Sequence, residues 1–222
     1  MQILQSWCMK AMALSAFVVS SSLIAAEPSN AAPITFAFDG AVAGVEGALV
    51  GNLGTGSMNG DITFDSGTAP LVPGTGIYIN AIKGLNLYMN GVKVAAYTSG
   101  SNGMIIQNSV PLGGADNLTA FSTVTGGIVG GVRPVSYSMS LSDSLGKVFD
   151  NDNLPTSPPS LGSFNRNQWR LDFGGTGNYV TGSLAHLTAV PLPAGVVLFG
   201  IGLISLVGLG AGGLRNLRVP RT

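Results

Sequence analysis

The chain has 222 residues, of which 9% are charged and 33 are glycine. This length fits one domain with targeting segments, and the apolar content excludes a chain that is disordered for lack of core-forming residues. Many Gly, Ser, Thr and Asn residues between Val, Ile, Phe and Tyr are typical of strands joined by turns rather than of a helical bundle.

Charge is unevenly distributed along the chain. The formal net charge is zero, but residues 32–190 carry six cationic and nine anionic side chains, a net charge of −3. Because phosphate binding needs a basic face, this acidic body argues against nucleic acid as a partner. The only cysteine is Cys8, so the sequence has no disulfide framework and no thiolate cluster for a metal.

The N-terminal residues have the pattern of a secretory signal. An uncharged run, AMALSAFVVSSSLIAA, directly follows Lys10. This arrangement predicts a signal peptide over residues 1–31 that is handled by Sec-type export machinery. We expect cleavage after Ala31, because Pro28 breaks the apolar helix before it, with Ala26 as the alternative. An uncleaved anchor is a further alternative, although the run is shorter than the ~20 residues that span a bilayer.

The central region has the pattern of a series of short strands, in which apolar residues alternate with polar ones between turn residues. The runs cover residues 34–39, 61–65, 76–81, 85–89, 92–97, 104–107, 118–124, 135–141, 168–173 and 179–187. Between the fourth and fifth runs, Asn90-Gly91 supplies a two-residue type I′ turn, which predicts a β-hairpin. The pattern as a whole predicts an all-β fold, a single antiparallel β-sandwich or barrel-like domain over residues 32–189.

Two details of this region follow from the same pattern. Trp169, Leu171 and Phe173 share one face of a predicted strand, and Arg170 and Asp172 share the other. The proline-rich stretch DNDNLPTSPPSLGS has strands on both sides, so we predict a loop within the domain rather than a linker between domains.

The domain contains few residues in the patterns that catalytic sites require. His186 is the only histidine, and no serine lies in a G-x-S-x-G elbow, so the expected role of His186 is that of an ordinary strand residue. Asp61 and Asp65 share a strand face, and a hydrolase with these paired carboxylates is an alternative. We predict no catalytic residue and no enzymatic activity.

Oxygen-bearing side chains at residues 150–153 resemble part of a calcium loop. An EF-hand also needs an oxygen ligand, a glycine and a glutamate at later positions, where Leu154, Pro155 and Leu161 stand. The expected structure is a turn in which Asn and Asp cap their own backbone, and a looser surface calcium site at Asp150 and Asp152 is the alternative. We predict no metal site and no cofactor.

Five aromatic residues are candidates for contact with a carbohydrate: Tyr78, Tyr88, Tyr97, Trp169 and Tyr179. Aromatic rings stack on sugar rings, although packing in the core is their ordinary use. A carbohydrate-binding module for exopolysaccharide is therefore an alternative function, with Trp169 or an exposed tyrosine as the contact.

The C-terminal residues contain a second apolar run. Residues 194–214 are 21 consecutive residues without charge, which as a helix at ~1.5 Å per residue match the ~30 Å of a bilayer core. Arg215, Arg218 and Arg221 follow and form a basic stop-transfer end. By the positive-inside rule these arginines stay cytoplasmic, which places the preceding domain outside.

A five-residue motif directly precedes this run: Val190, Pro191, Leu192, Pro193 and Ala194. Its two prolines lack N–H groups and fix φ, so we expect an extended segment outside both helix and sheet. The motif, the apolar run and the arginines together resemble the sorting tail of the PEP-CTERM family of bacterial surface proteins, in its VPLPA-type variant (VPLPA-CTERM). The tail covers residues 190–222.

In that family an exosortase, which is a membrane protease-transpeptidase, recognises the tail and releases the protein from the inner membrane. The resemblance implies that Pro191, Leu192 and Pro193 are the recognition residues. It also implies an exported cell-surface or extracellular-matrix protein of a Gram-negative-type bacterium. Leu192 replaces the family's glutamate, which implies a variant enzyme, and the arginines are more widely spaced than in the usual cluster. A permanent anchor is the alternative.

Overall fold

A computed structural model describes residues 33–109 and 114–191. The strands are β1 (Pro33–Val45), β2 (Ser57–Asp65), β3 (Ile77–Ile79), β4 (Ile82–Met89), β5 (Val92–Ala96), β6 (Asn102–Gln107), β7 (Asp116–Thr123), β8 (Pro134–Asp143), β9 (Arg166–Phe173) and β10 (Tyr179–Ala189). Two 3-10 helices, Gly47–Leu49 and Leu161–Ser163, interrupt the loops. These residues contain no α-helix, so the predicted all-β class is confirmed.

All ten strands belong to one antiparallel sheet, in the order β3-β6-β7-β8-β9-β10-β1-β2-β4-β5. The two longest strands, β1 with 13 residues and β10 with 11, pair near the middle. The described strands thus form one curled sheet, a half-barrel, and the barrel-like alternative is the closer description.

The curl is visible in contacts between side chains that a flat sheet would keep apart. Phe38 on β1 and Tyr137 on β8 are separated by β9 and β10, which is about 14 Å at the usual strand spacing. Their ring centroids nevertheless lie 6.0 Å apart, with the planes only 9° from parallel. The inner face therefore closes on itself and forms the apolar core.

The predicted alternation is confirmed on β9, where Trp169, Leu171 and Phe173 are buried while Arg170 is exposed. The hairpin turn is confirmed as well, since Asn90 and Gly91 have φ values of 49° and 79°. Positive φ at both central residues defines the type I′ turn.

Both edge strands of the sheet are partly covered. Ala96 at the end of β5 exchanges two backbone hydrogen bonds of 2.8 Å with Thr125. On the opposite edge, the Leu71 N–H donates to the Ile77 carbonyl of β3 at 2.7 Å. Covering the edges in this way protects a sheet from pairing with further chains.

Candidate functional site

The start of β1 and the end of β10 lie side by side, and this end of the sheet is named the exit end here. Phe36 is paired with Ala189 in the antiparallel register. One residue further, the Val190 N–H donates to the Thr35 carbonyl at 2.9 Å. Pro33, the first described residue, is paired with Asp65 of β2. Both ends of the domain therefore leave the sheet at one place.

The predicted sorting motif begins directly at the exit end. Val190 is 44% exposed, and Pro191 is also exposed. Val190 still bonds to the sheet, whereas proline has no N–H to continue the ladder. The motif therefore starts where the folded domain stops, with no intervening linker.

The remaining predicted sorting and signal residues lie outside the described residues. These are Leu192, Pro193, Ala194, Arg215, Arg218 and Arg221 in the tail, and Ala26 and Ala31 at the signal. The predicted helix at residues 194–214 and the signal peptide at 1–31 likewise lie outside them.

The outer face of the sheet carries a polar groove across β8, β9 and β10. Its volume is about 450 Å³, and Ser138, Ser140, Gln168, Arg170, Thr181 and Ser183 contribute to its lining. Short hydroxyl side chains point outward from β8 and β10, because alternate residues of a strand face opposite sides. The groove therefore presents hydroxyl, amide and guanidinium groups on one surface.

A fixed charge pair stands at this groove. Arg170 Nη2 lies 2.7 Å from Asp172 Oδ1, and the guanidinium carbon is 3.9 Å from the centre of the Tyr179 ring. Ser136 Oγ donates to the other carboxylate oxygen of Asp172 at 3.3 Å. The hydrogen bond to Asp172 raises the pKa of Arg170 above its ordinary value. Ring and carboxylate together hold the guanidinium in one orientation.

The aromatic candidates do not form one platform. Trp169 and Tyr78 are buried, at 2% and 5% exposure, so packing in the core, the ordinary use of such residues, is confirmed for both, and the alternative that Trp169 is an exposed sugar contact is wrong. The indole lies inside the half-barrel because β9 turns that face inward, and its Nε1 has no hydrogen-bond partner among the described residues. Of the half-buried tyrosines, Tyr88 on β4 is three strands away from Tyr179 on β10. Trp169 is the aromatic residue that contributes to the groove lining, and Tyr179 contacts the guanidinium group of Arg170.

His186 makes a side-chain contact that the sequence did not predict. A β-bulge at Ala185 places His186 opposite Asp39, and its Nδ1 lies 2.8 Å from Asp39 Oδ1. The side chains are 73% and 51% exposed, so water screens this pair. The contact orients the imidazole on the outer face of the sheet.

Three of the carboxylates considered for hydrolysis or calcium accept hydrogen bonds, and Asp152 Oδ1 accepts one from the Asn108 N–H at 2.7 Å. Asp61 Oδ1 accepts a hydrogen bond from Asn86 Nδ2, and Asp65 Oδ1 accepts one from the Gly67 N–H, both at 2.9 Å. In the loop, Asn151 Oδ1 accepts from the Asn153 N–H at 2.9 Å. This is the predicted turn in which a side chain caps its own backbone.

Sequence reasoning missed a buried carboxylate that orders the loop after β8. Asp116 is fully buried, and its Oδ2 accepts hydrogen bonds of 2.8 Å from the N–H groups of Val148 and Phe149. Its Oδ1 accepts from the Ser109 N–H at 3.0 Å and from the Ser109 hydroxyl at 3.1 Å. Burial raises the pKa of Asp116, but these hydrogen bonds outweigh it and hold the pKa below its usual value of 3.8. No motif marks this residue in the sequence.

Comparisons with protein-family models, with curated proteins and with solved structures found no match to this chain. Within residues 33–109 and 114–191, no group of three or more His, Cys, Asp or Glu side chains is placed to hold a metal ion. In the same part of the chain, no helix has the length and hydropathy needed to cross a membrane.

Proposed function

We propose that this chain is an exported, non-catalytic protein of the cell surface or extracellular matrix, which an exosortase sorts and releases through its C-terminal tail. The observation that carries the proposal is the position of the motif. It begins at Val190, one residue after β10 ends at Ala189, and it is followed by an uncharged run of bilayer length.

The geometry of β1 and β10 supports the same proposal. A predicted membrane segment precedes β1 and another follows β10. Because β1 and β10 are antiparallel, Pro33 and Val190, the described residues next to these segments, both lie at the exit end. If the two segments were attached at opposite ends of the 13-residue β1, their attachment points would be about 40 Å apart at ~3.3 Å per residue. The domain can therefore complete its central strand pair while both segments remain in one bilayer.

The test is a pair of matched double variants in the producing cell. Pro191→Ala with Pro193→Ala removes both prolines of the motif. Pro155→Ala with Pro158→Ala removes two prolines from the loop between β8 and β9 and serves as the control. We expect the motif variant to accumulate uncleaved in the inner membrane and the control to reach the extracellular fraction. Equal release of the two would contradict the proposal.

A second candidate function, binding of exopolysaccharide, is favoured by the polar groove. Hydroxyl, amide and guanidinium groups are suited to hydrogen bonding with sugar hydroxyls, and Tyr179 and Arg170 hold each other in place. We expect Arg170→Ala to reduce retention on a column of the producer's own polysaccharide. Arg133→Ala removes an exposed cation away from the groove and should leave retention unchanged. If neither the parent protein nor the variants are retained, this function is excluded.

A further inference from the structure

The chain between the sheet and the predicted membrane helix is very short. The last sheet hydrogen bond is made by Val190, and the uncharged run begins at Ala194. Four residues reach about 14 Å when fully extended. The polar headgroup layer on each side of a bilayer is about 5–8 Å thick. While the tail is inserted, the exit end therefore lies at the membrane surface or within a few ångströms of it.

Two aliphatic side chains stand on the loop beside this point. The loop of residues 66–76 follows Asp65, which is the partner of Pro33. Leu71 and Val72 are 65% and 53% exposed, and prolines flank the pair on both sides. The Ile106 N–H donates to the Gly76 carbonyl at 2.8 Å and fixes the far end of the loop. The loop thus spans the exit end and holds its aliphatic pair outward.

Further exposed apolar residues lie at the same end. Val190 is 44% exposed, and Leu145, in the turn after β8, is 69% exposed. Asp143 orders that turn by accepting hydrogen bonds from the N–H groups of Leu145 and Lys147 at 3.0 and 2.9 Å. Fixed turns lose less conformational entropy on binding than mobile ones.

Exposure alone does not distinguish the two ends of the half-barrel. Val50, in the loop after β1, is 64% exposed at the opposite end. The two ends differ because only the exit end is joined to the tail by a short connection. This connection brings the exit end to the lipid, whereas Val50 stays a strand length away. Val50 and Leu71 have nearly the same exposed fraction but lie at opposite ends of the half-barrel, so Val50 is a control for Leu71.

We propose that, before release, Leu71 and Val72 insert into the boundary between headgroups and acyl chains of the bilayer that holds the tail. The partner is the phospholipid surface itself. This contact orients the domain with its exit end toward the membrane and presents the sorting motif at a fixed depth. The inference rests on the proposed function, since it requires a tail in the membrane.

The experiment uses the tail-bearing chain in vesicles of phosphatidylethanolamine and phosphatidylglycerol. The chain begins at Ala32, after the predicted signal cleavage site, so it contains no natural cysteine and the tail is its one predicted membrane segment. A polarity-sensitive dye is attached to Leu71→Cys or, as the control, to Val50→Cys. Flotation with the vesicles reports tail insertion independently of the dye. We expect the Leu71 dye to shift its emission to the blue and to be quenched several-fold more by bromine-labelled lipid than the Val50 dye.

The outcomes separate the two proposals. A chain that floats while both dyes remain in a water-like environment overturns the membrane contact and leaves the sorting proposal intact. A chain that does not float overturns both, because the tail then does not enter the bilayer. Replacing Leu71 and Val72 by serine tests the contact without a label, and we expect slower tail cleavage in the producing cell with an unchanged unfolding midpoint.

Discussion

Replacing Asp116 by asparagine, which removes one oxygen acceptor, should destabilise the domain. Asn at this position keeps one acceptor oxygen and adds an amide donor. The amide NH2 of asparagine would face either the Val148 and Phe149 N–H groups or the Ser109 N–H. The Ser109 hydroxyl could accept from it and donate to the Gly114 carbonyl, to which it already lies at 2.7 Å. A buried donor without an acceptor costs about 1–3 kcal/mol. We therefore expect Asp116→Asn to lower the free energy of unfolding by about 1–3 kcal/mol.

The fluorescence of Trp169 provides the assay. The only other tryptophan, Trp7, lies in the predicted signal, so Trp169 reports unfolding of the domain without labels. At pH 7 the Asn variant should unfold at lower denaturant concentration, with a thermal midpoint about 2–12 °C below that of the parent. Asp150→Asn removes the same charge from an exposed site and should change stability by less than about 0.5 kcal/mol.

The same residue predicts a dependence on pH. The pKa of Asp116 is lower in the folded protein than its ordinary value of 3.8. The Asp116 carboxylate therefore contributes fully to the free energy of unfolding at a pH above its pKa in the unfolded chain. This contribution is lost as the pH falls through its pKa in the folded protein. The difference in free energy of unfolding between the parent and Asp116→Asn should be largest at pH 7 and should decrease below about pH 4. Equal unfolding midpoints at pH 7, or a difference that persists unchanged in acid, would refute the reasoning.

Three further substitutions and one control test the packing of the sheet and its hairpin turn. In Gly182→Ala the new Cβ would lie 2.0 Å from the Ala41 carbonyl oxygen, so unfolding should become easier by about 1–3 kcal/mol, as in other overpacked sites. Gly127→Ala, which has open space around its Cβ, should have no effect on the same denaturation curve. Gly91→Ala forces a methyl group into a φ of 79° and should cost about 1–2 kcal/mol in a thermal melt. Trp169→Ala should lower the free energy of unfolding by about 3–5 kcal/mol, measured by circular dichroism.

Local alternation in the sequence was sufficient to locate the strands. Each predicted run overlaps an observed strand, because one buried face imposes a period of two residues. The largest difference is in β1, which continues six residues beyond the predicted end, from Gly40 to Val45. That stretch is rich in Gly and Ala and has low intrinsic strand propensity. It is extended because both neighbours, β2 and β10, pair with it.

The candidate sites depend on contacts that alternation does not contain. His186 and Asp39 are 147 residues apart in the chain, and a one-residue bulge at Ala185 brings them together. Alternation predicted that Trp169 shares a face with Leu171, but which face points inward depends on the direction of curl. Asp116 resembles any strand-end aspartate in the sequence, and its burial is determined by how the loop after β8 folds over it.

The most direct test of the sorting proposal is the C-terminal residue of the mature protein. Mass spectrometry of the intact chain, on separate inner-membrane and extracellular fractions, gives this residue and the N-terminal one together. The proposal predicts an extracellular chain that begins at Ala32 and ends near Pro193. A chain that still ends at Thr222 and is found only in the inner membrane would contradict it, because the apolar run would then be a permanent anchor.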